Sequence, residues 1–460
     1  MKRRVLVTLA ISLALIAGVT ACSNGQPAKS SSPTASAASG GGSHPDLANC
    51  HNTMVKDNRP IIQLYSWYPN LQTVIDPYNQ AHKDVQVCWI QAGGADAYAA
   101  FNTAVEAGTG IPDVVQVESD QIPNFVLRKA ITNIAPYGVD AVKSKYTDGA
   151  WAAVSSGKNV YAVPVDGGPM GLYYRKDILD KYGIAVPTTW AEFEKAAETL
   201  KADGFQGVAT DFPFNSGTFV QSMLWQTGWR AFDYDLKDPS SISVNIDTAK
   251  GRKLVEYWLD LIKQGLVSYD DRGTTDYQTK MVNGGYAIYI AAAWGSKNIV
   301  GIQSSDPDAE WRAAPLPQWD SSKPVEVNWG GSNFAVTQAS PDKKLATKVA
   351  MDILGDQSSW KTGVEQVKLF PTFKPMLNSS YFTDLADPAF GGQQMNKDVW
   401  LPAAVKAQQG GFGPIAKFFY DKLNENLYAA AEGKLAPDKV LATVQQEVEE
   451  NLKGEGLTVK

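Results

Sequence analysis

Three observations predict an α/β fold. Short β-rich runs alternate with helix-spaced apolar residues from Ile61 onward, turn residues punctuate them, and no internal repeat or heptad array is visible. The first run is Ile61-Ile62-Gln63-Leu64-Tyr65. Leu71, Val74, Ile75 and Tyr78 then recur at helical spacing, and Val85 to Ile90 alternates as a strand should. A helix over about 98–107 leads through Gly108-Thr109-Gly110-Ile111-Pro112 into the run Asp113 to Val117. That β-α-β-α-β order predicts a mainly parallel sheet. Farther on, Thr188 or Thr189 can cap a helix whose Glu192 and Glu194 suit its positive end. Leu254, Trp258, Leu261 and Ile262 form one helical face that Gly265 stops, and Pro437 opens a helix carrying Val440, Leu441, Val444, Val448 and Leu452.

The first residues read as an address. Met1-Lys2-Arg3-Arg4 precedes the apolar run Val5 to Val19, too short to span a bilayer comfortably, so 1–21 is expected to be a secretory signal peptide. Val19-Thr20-Ala21-Cys22 resembles a bacterial lipobox, with Val where Leu is usual, which implies cleavage before Cys22 and acylation of its thiol. Residues 23–43 hold seven Ser, four Gly and four Ala, one charge and no large apolar residue. Such a segment cannot repay the entropy of ordering and serves as a tether with a reach of about 25 Å. Residues 22–58 are therefore read as anchored tether and N-terminal segment. Of three Cys, Cys50 and Cys88 remain for a disulfide that would close this segment onto an early strand, or else as two separate thiols.

The chain's 460 residues, 44% hydrophobic and 20% charged, are enough to bury a large core in two or three domains. A net charge of −6 argues against nucleic acid as a partner. All three His lie before residue 83, which leaves no His-rich metal site later and makes a Ser-His-Asp triad hard to assemble. No G-x-S-x-G, H-E-x-x-H or phosphate-loop motif occurs. Paired carboxylates remain open among 48 acids, so glycosidase chemistry stands as an alternative.

What the chain does offer is Trp beside turn residues. Trp67 follows the first strand, Trp294 follows the apolar run Tyr286 to Ile290, and Trp329 sits in Asn328-Trp329-Gly330-Gly331-Ser332. An indole face stacks on the C–H face of a pyranose, and loops at strand carboxyl ends line the crevice of α/β folds. Trp190 and Trp258, by contrast, are expected in the core.

Two stretches carry a resemblance: Gly157 to Asp166 (GKNVYAVPVD) continuing to Gly171-Leu172-Tyr173-Tyr174-Arg175-Lys176-Asp177, and Tyr182-Gly183-Ile184 to Pro187-Thr188-Thr189-Trp190-Ala191-Glu192-Phe193. Supporting pieces are Ala107 to Asp113, Met281 to Ile288, and Ala313-Ala314-Pro315-Leu316-Pro317. Together, from about residue 60 to the C-terminus, they resemble the extracellular solute-binding proteins of ABC importers, in the carbohydrate-binding group that includes maltose-binding protein.

The resemblance implies a two-lobe periplasmic-binding-protein fold with a hinge and a ligand cleft between lobes. Crossings are expected near 164–168, near 329–333 and after 370–373, giving lobe one as 59–165 plus 333–372 and lobe two as 166–332 plus 373–460. It implies sugar contacts at Trp67, Gln91, Glu118, Asp166, Trp225, Trp294, Asn328, Trp329, Gly330 and Phe412, with no catalytic residue, cofactor or metal. It implies a monomer, lipid-anchored outside the cell membrane, that hands a sugar or oligosaccharide to an ABC permease. The Gly167-Gly168-Pro169 hinge departs from maltose-binding protein, so that protein's ligand does not transfer. The remaining alternative keeps the fold and exchanges the sugar for a polyamine, an iron complex or a phosphate ester.

Overall fold

The computed structural model describes residues 49–93, 97–303 and 308–460; the leader, Cys22 and the tether lie outside the described residues. Strand β1 (Ile61–Ser66) alternates as its sequence does, with Ile62, Leu64 and Ser66 buried. It pairs in parallel with β2 (Gln86–Gln91) on one side and β3 (Val114–Glu118) on the other. Helix α1 (Gln72–Ala81) buries Val74, Ile75 and Tyr78, and α2 (Ala97–Ala107) buries Phe101. These are the β-α-β-α-β elements expected. The strand Ser332–Val336 joins β3 antiparallel, with Ser332 opposite Glu118, and Val163–Pro164 closes the five-stranded sheet. Cys50 and Cys88 form a disulfide that fastens the N-terminal segment to β2.

The expectation of a mainly parallel sheet fails in the second sheet. There Met170–Arg175 runs between Ile288–Ala292 and Trp311–Pro315 and is antiparallel to both. The right-handed crossover rule acts on strands joined through a helix. The two outer strands are such a pair: they share one direction and are joined through the helix Ser296–Gln303. The central strand instead enters from an extended segment, so nothing local sets its direction. Both faces of this sheet are covered. Trp400 and Phe390 pack on Tyr173 on one side, and Met170 and Leu172 join a cluster with Trp190, Phe212 and Trp258 on the other.

Helix ends follow the chemistry read from the sequence. Thr189, not Thr188, is the cap residue of Trp190–Ala202, in a reciprocal capping box with Glu192, while Thr188 donates to the same carboxylate. Helix Ala249–Lys263 buries Leu254, Trp258 and Leu261, and Gly265 follows it at φ +67°. The turn Pro437–Lys439 leads into Val440–Gly454, which buries all five of its expected apolar residues.

Three extended segments lie side by side between the sheets. The Gly167 amide donates to the Phe370 carbonyl (2.9 Å), the Asp166 amide to Ser332 (3.2 Å), and the Trp329 amide to Gly168 (2.7 Å). A Cβ on Gly168 would lie 2.0 Å from the Trp329 carbonyl oxygen. Only glycine allows these two segments to touch so closely.

Candidate functional site

The carboxyl ends of β1 and β3 and the three extended segments surround a hollow of about 320 Å³. Trp67 enters it directly after β1, half-buried, with its ring edge-on to Tyr98 at 5.5 Å. Its amide and the Ser66 hydroxyl both donate to the Gln116 side chain, which anchors the loop on β3. Opposite stand Trp294 and Trp329, ring centres 4.6 Å apart and tilted by 55°. The Trp294 Nε1–H donates to the Trp329 carbonyl (3.3 Å), and the Trp329 Nε1–H donates to Thr218 Oγ1 (3.0 Å). Behind Trp329 lies the guanidinium of Arg272, 5.7 Å from the ring centre and held by the buried Asp211 carboxylate at 2.6 and 3.0 Å. Both indoles are thereby fixed in orientation while remaining half-exposed.

Carboxyl groups line the floor. The Ser332 amide donates to Asp166 Oδ1 at 2.8 Å, and Glu118 ends β3 beside the turn Gly330-Gly331, both at positive φ. Burial, reinforced by the charges of Asp120 and Asp166, pushes the Glu118 carboxyl up to about 8. Burial raises Asp166 to about 6 against the pull of the Ser332 amide. Asp120 is also raised by burial, opposed by the Tyr420 hydroxyl, which donates from 2.9 Å. Near neutral pH the Glu118 carboxyl keeps its proton, so it can donate as well as accept. That suits a ligand rich in hydroxyl groups.

The hollow does not end there. On one side it continues into a space of about 720 Å³ containing Tyr98, Asn102, Asp120, Asn215 and Tyr420. On the other it continues past Trp294 and Lys297 into an apolar groove of about 730 Å³ containing Phe382 and Trp400.

Of the sequence-predicted contacts, Trp67, Glu118, Asp166, Trp294, Trp329 and Gly330 meet around this hollow. Trp225 and Phe412 pack edge-on against each other at 5.4 Å and, with Gly330, line a small adjoining void of about 20 Å³; Trp225 is fully buried. Asn328 is buried, and its carbonyl accepts from Ser222. Gln91 is exposed at the end of β2, outside the hollow's lining. Thr218, Tyr98, Asp120 and Tyr420 were not anticipated. Asp120 could have been, lying two residues past Glu118, and Thr218 follows the turn-rich Asn215-Ser216-Gly217 after a short strand.

The family model for bacterial extracellular solute-binding proteins matches residues 63–350. An arabinooligosaccharide-binding protein of Bacillus subtilis is 24% identical over 285 residues, 60% of this chain and 60% of its own length. A lactose-binding protein of Rhizobium radiobacter is 25% identical over 305 residues, 62% of this chain and 68% of that one. Among solved structures, an ABC-transporter-associated binding protein from B. animalis subsp. lactis, in complex with β-1,6-galactobiose, superposes with a TM-score of 0.72 at 25% identity, over 88% of this chain and all of the other.

Proposed function

The chain belongs to the bacterial extracellular solute-binding proteins, and from that premise we propose that it captures a sugar or short oligosaccharide and delivers it to an ABC permease without breaking a bond. One observation carries the reading. Three half-buried indoles, Trp67, Trp294 and Trp329, face one hollow whose floor holds the carboxyls Glu118 and Asp166. Indole faces take the apolar side of a pyranose, and carboxyls and the backbone of Gly330-Gly331 take its hydroxyls. The printed ligands of the relatives, arabinooligosaccharide, lactose and galactobiose, support the same class. Lobes of 59–165 plus 333–372 and 166–332 plus 373–460 would close over the ligand by bending where the three extended segments run together. Cys22 would carry the lipid that holds the protein outside the membrane, a role tested by loss of radiolabelled palmitate from a Cys22→Ala chain.

The deciding experiment is a titration of intrinsic Trp fluorescence in the purified full chain with mono- and oligosaccharides, with chromatography of the sugar afterwards. The expected result is a saturable change with one sugar class, the sugar recovered intact. Release of a smaller sugar would make the protein a hydrolase, and a flat response to the whole panel would remove sugars as the ligand.

A further inference from the structure

The central hollow and the apolar groove share four lining residues: Trp294, Lys297, Lys368 and Leu369. Two lysines, both exposed, therefore line one throat, and they arrive from separate segments. Lys297 is the second residue of the helix Ser296–Gln303. Lys368 sits in the left-handed region at φ +63°, where the chain turns from the π-helical Gly363–Val367 towards the segment at Phe370. Neither side chain makes a hydrogen bond or ion pair with any described residue. At the opposite end of the cleft Lys417 is already neutralised by Asp421 at 2.6 Å. Asp387, on the far wall of the groove, accepts from the Ala389 amide and caps its own turn. Asp166 attracts Lys297 through space but is not within ion-pair distance, and Lys368 repels it. Past the lysines the groove holds no further cation among the described residues and turns apolar, with Val300 and Leu385 exposed by 47% and 38%.

Two like charges facing one throat repel each other; Asp166 attracts Lys297 only from beyond ion-pair distance, and an anion seated between the lysines would add a direct counter-charge. We propose that the bound sugar is acidic: its end residue carries a carboxylate, sulfate or phosphate seated between Lys297 and Lys368, while its neutral rings lie against the three indoles. This rests on the sugar-capture reading and adds the charge of the substrate to it. Lysine supplies point charges, so the site would select for charge more than for the geometry of one particular anion.

The test is calorimetric titration of the full chain with matched pairs: digalacturonate against α-1,4-galactobiose, and lactose 3′-sulfate against lactose. At least one acidic member is expected to bind about tenfold or more tightly than its neutral match, with that ratio shrinking as salt rises from about 20 to 500 mM. The doubly substituted chain Lys297→Gln, Lys368→Gln should bring the ratio to about one, and Lys297→Arg with Lys368→Arg should keep it above one. Neutral sugars binding as well as or better than acidic ones would overturn this proposal and leave sugar capture standing. Binding of neither member of either pair, nor of any other sugar, would overturn both. The carboxylate and sulfate pairs together tell which anion the throat accepts.

Discussion

Two pairs of tryptophans in this protein have opposite fates. Trp190 and Trp258 meet edge-on at 5.3 Å in the core of the second sheet, both 1% exposed. Trp258 stacks on Phe212 at 4.4 Å, and the Trp190 Nε1–H donates to Gln226 at 2.7 Å, so both rings are packed on all sides. Trp294 and Trp329 are closer still, at 4.6 Å, yet remain half-buried. Their N–H groups lock them to the extended segment at residue 329 and to Thr218, and both rings line the hollow. Residue type is the same in both pairs. What differs is that the first pair sits on helices and the second in irregular segments, Trp294 just after the strand Ile288–Ala292 and Trp329 just before the strand Ser332–Val336.

Four measurements would break or sharpen that contrast. Trp258→Ala should cost about 3–5 kcal/mol in urea unfolding, because it empties a packed site that cannot collapse. Trp294→Ala should cost the fold far less and instead lower sugar affinity by about 2 kcal/mol, roughly 30-fold by calorimetry. Equal losses of stability in the two variants would erase the distinction. Next is the carboxyl floor beneath the open pair. Glu118 titrates near 8 in the fold against 4.5 for an unburied glutamate, so between those values the folded chain holds the extra proton. Stability should therefore be full below about pH 4.5 and fall as pH rises through 8, with Glu118→Gln removing about 1 kcal/mol of that slope. The urea midpoint at pH 5 and pH 8 reads it. The smallest effect is expected at Gln91→Ala, exposed and outside the hollow, within about 0.5 kcal/mol in stability and with sugar affinity unchanged.

Local patterns were legible from the sequence and long-range pairings were not. The strands β1 to β3, the capped helix at Thr189 and the turn position of Trp294 all follow from neighbouring residues, through period, capping and turn chemistry. The direction of Met170–Arg175 did not, because its partners lie more than 100 residues onward. Trp225 was read as a possible contact from its Phe- and Gly-rich surroundings, but eight of the nine residues of its helix, Trp225 among them, are buried. The throat of Lys297 and Lys368 was invisible for the same reason as the strand direction. Two ordinary surface lysines become a site only when chain segments 71 residues apart are folded against one hollow.

The Cys50–Cys88 bridge also decides where mechanical load goes. Any pull on the N-terminal end of the chain passes from Cys50 straight into Cys88, bypassing the covalent path through the 37 residues between them. The force enters β2, the edge strand, which is held to β1 by six in-register pairs from Ile61–Gln86 to Ser66–Gln91. Pulled along its axis, such a parallel edge loads those pairs in shear, all at once, instead of peeling them one by one. A protein tugged from its N-terminus would thus take up strain first at the sheet's rim, through the strand pair whose carboxyl end leads into Trp67.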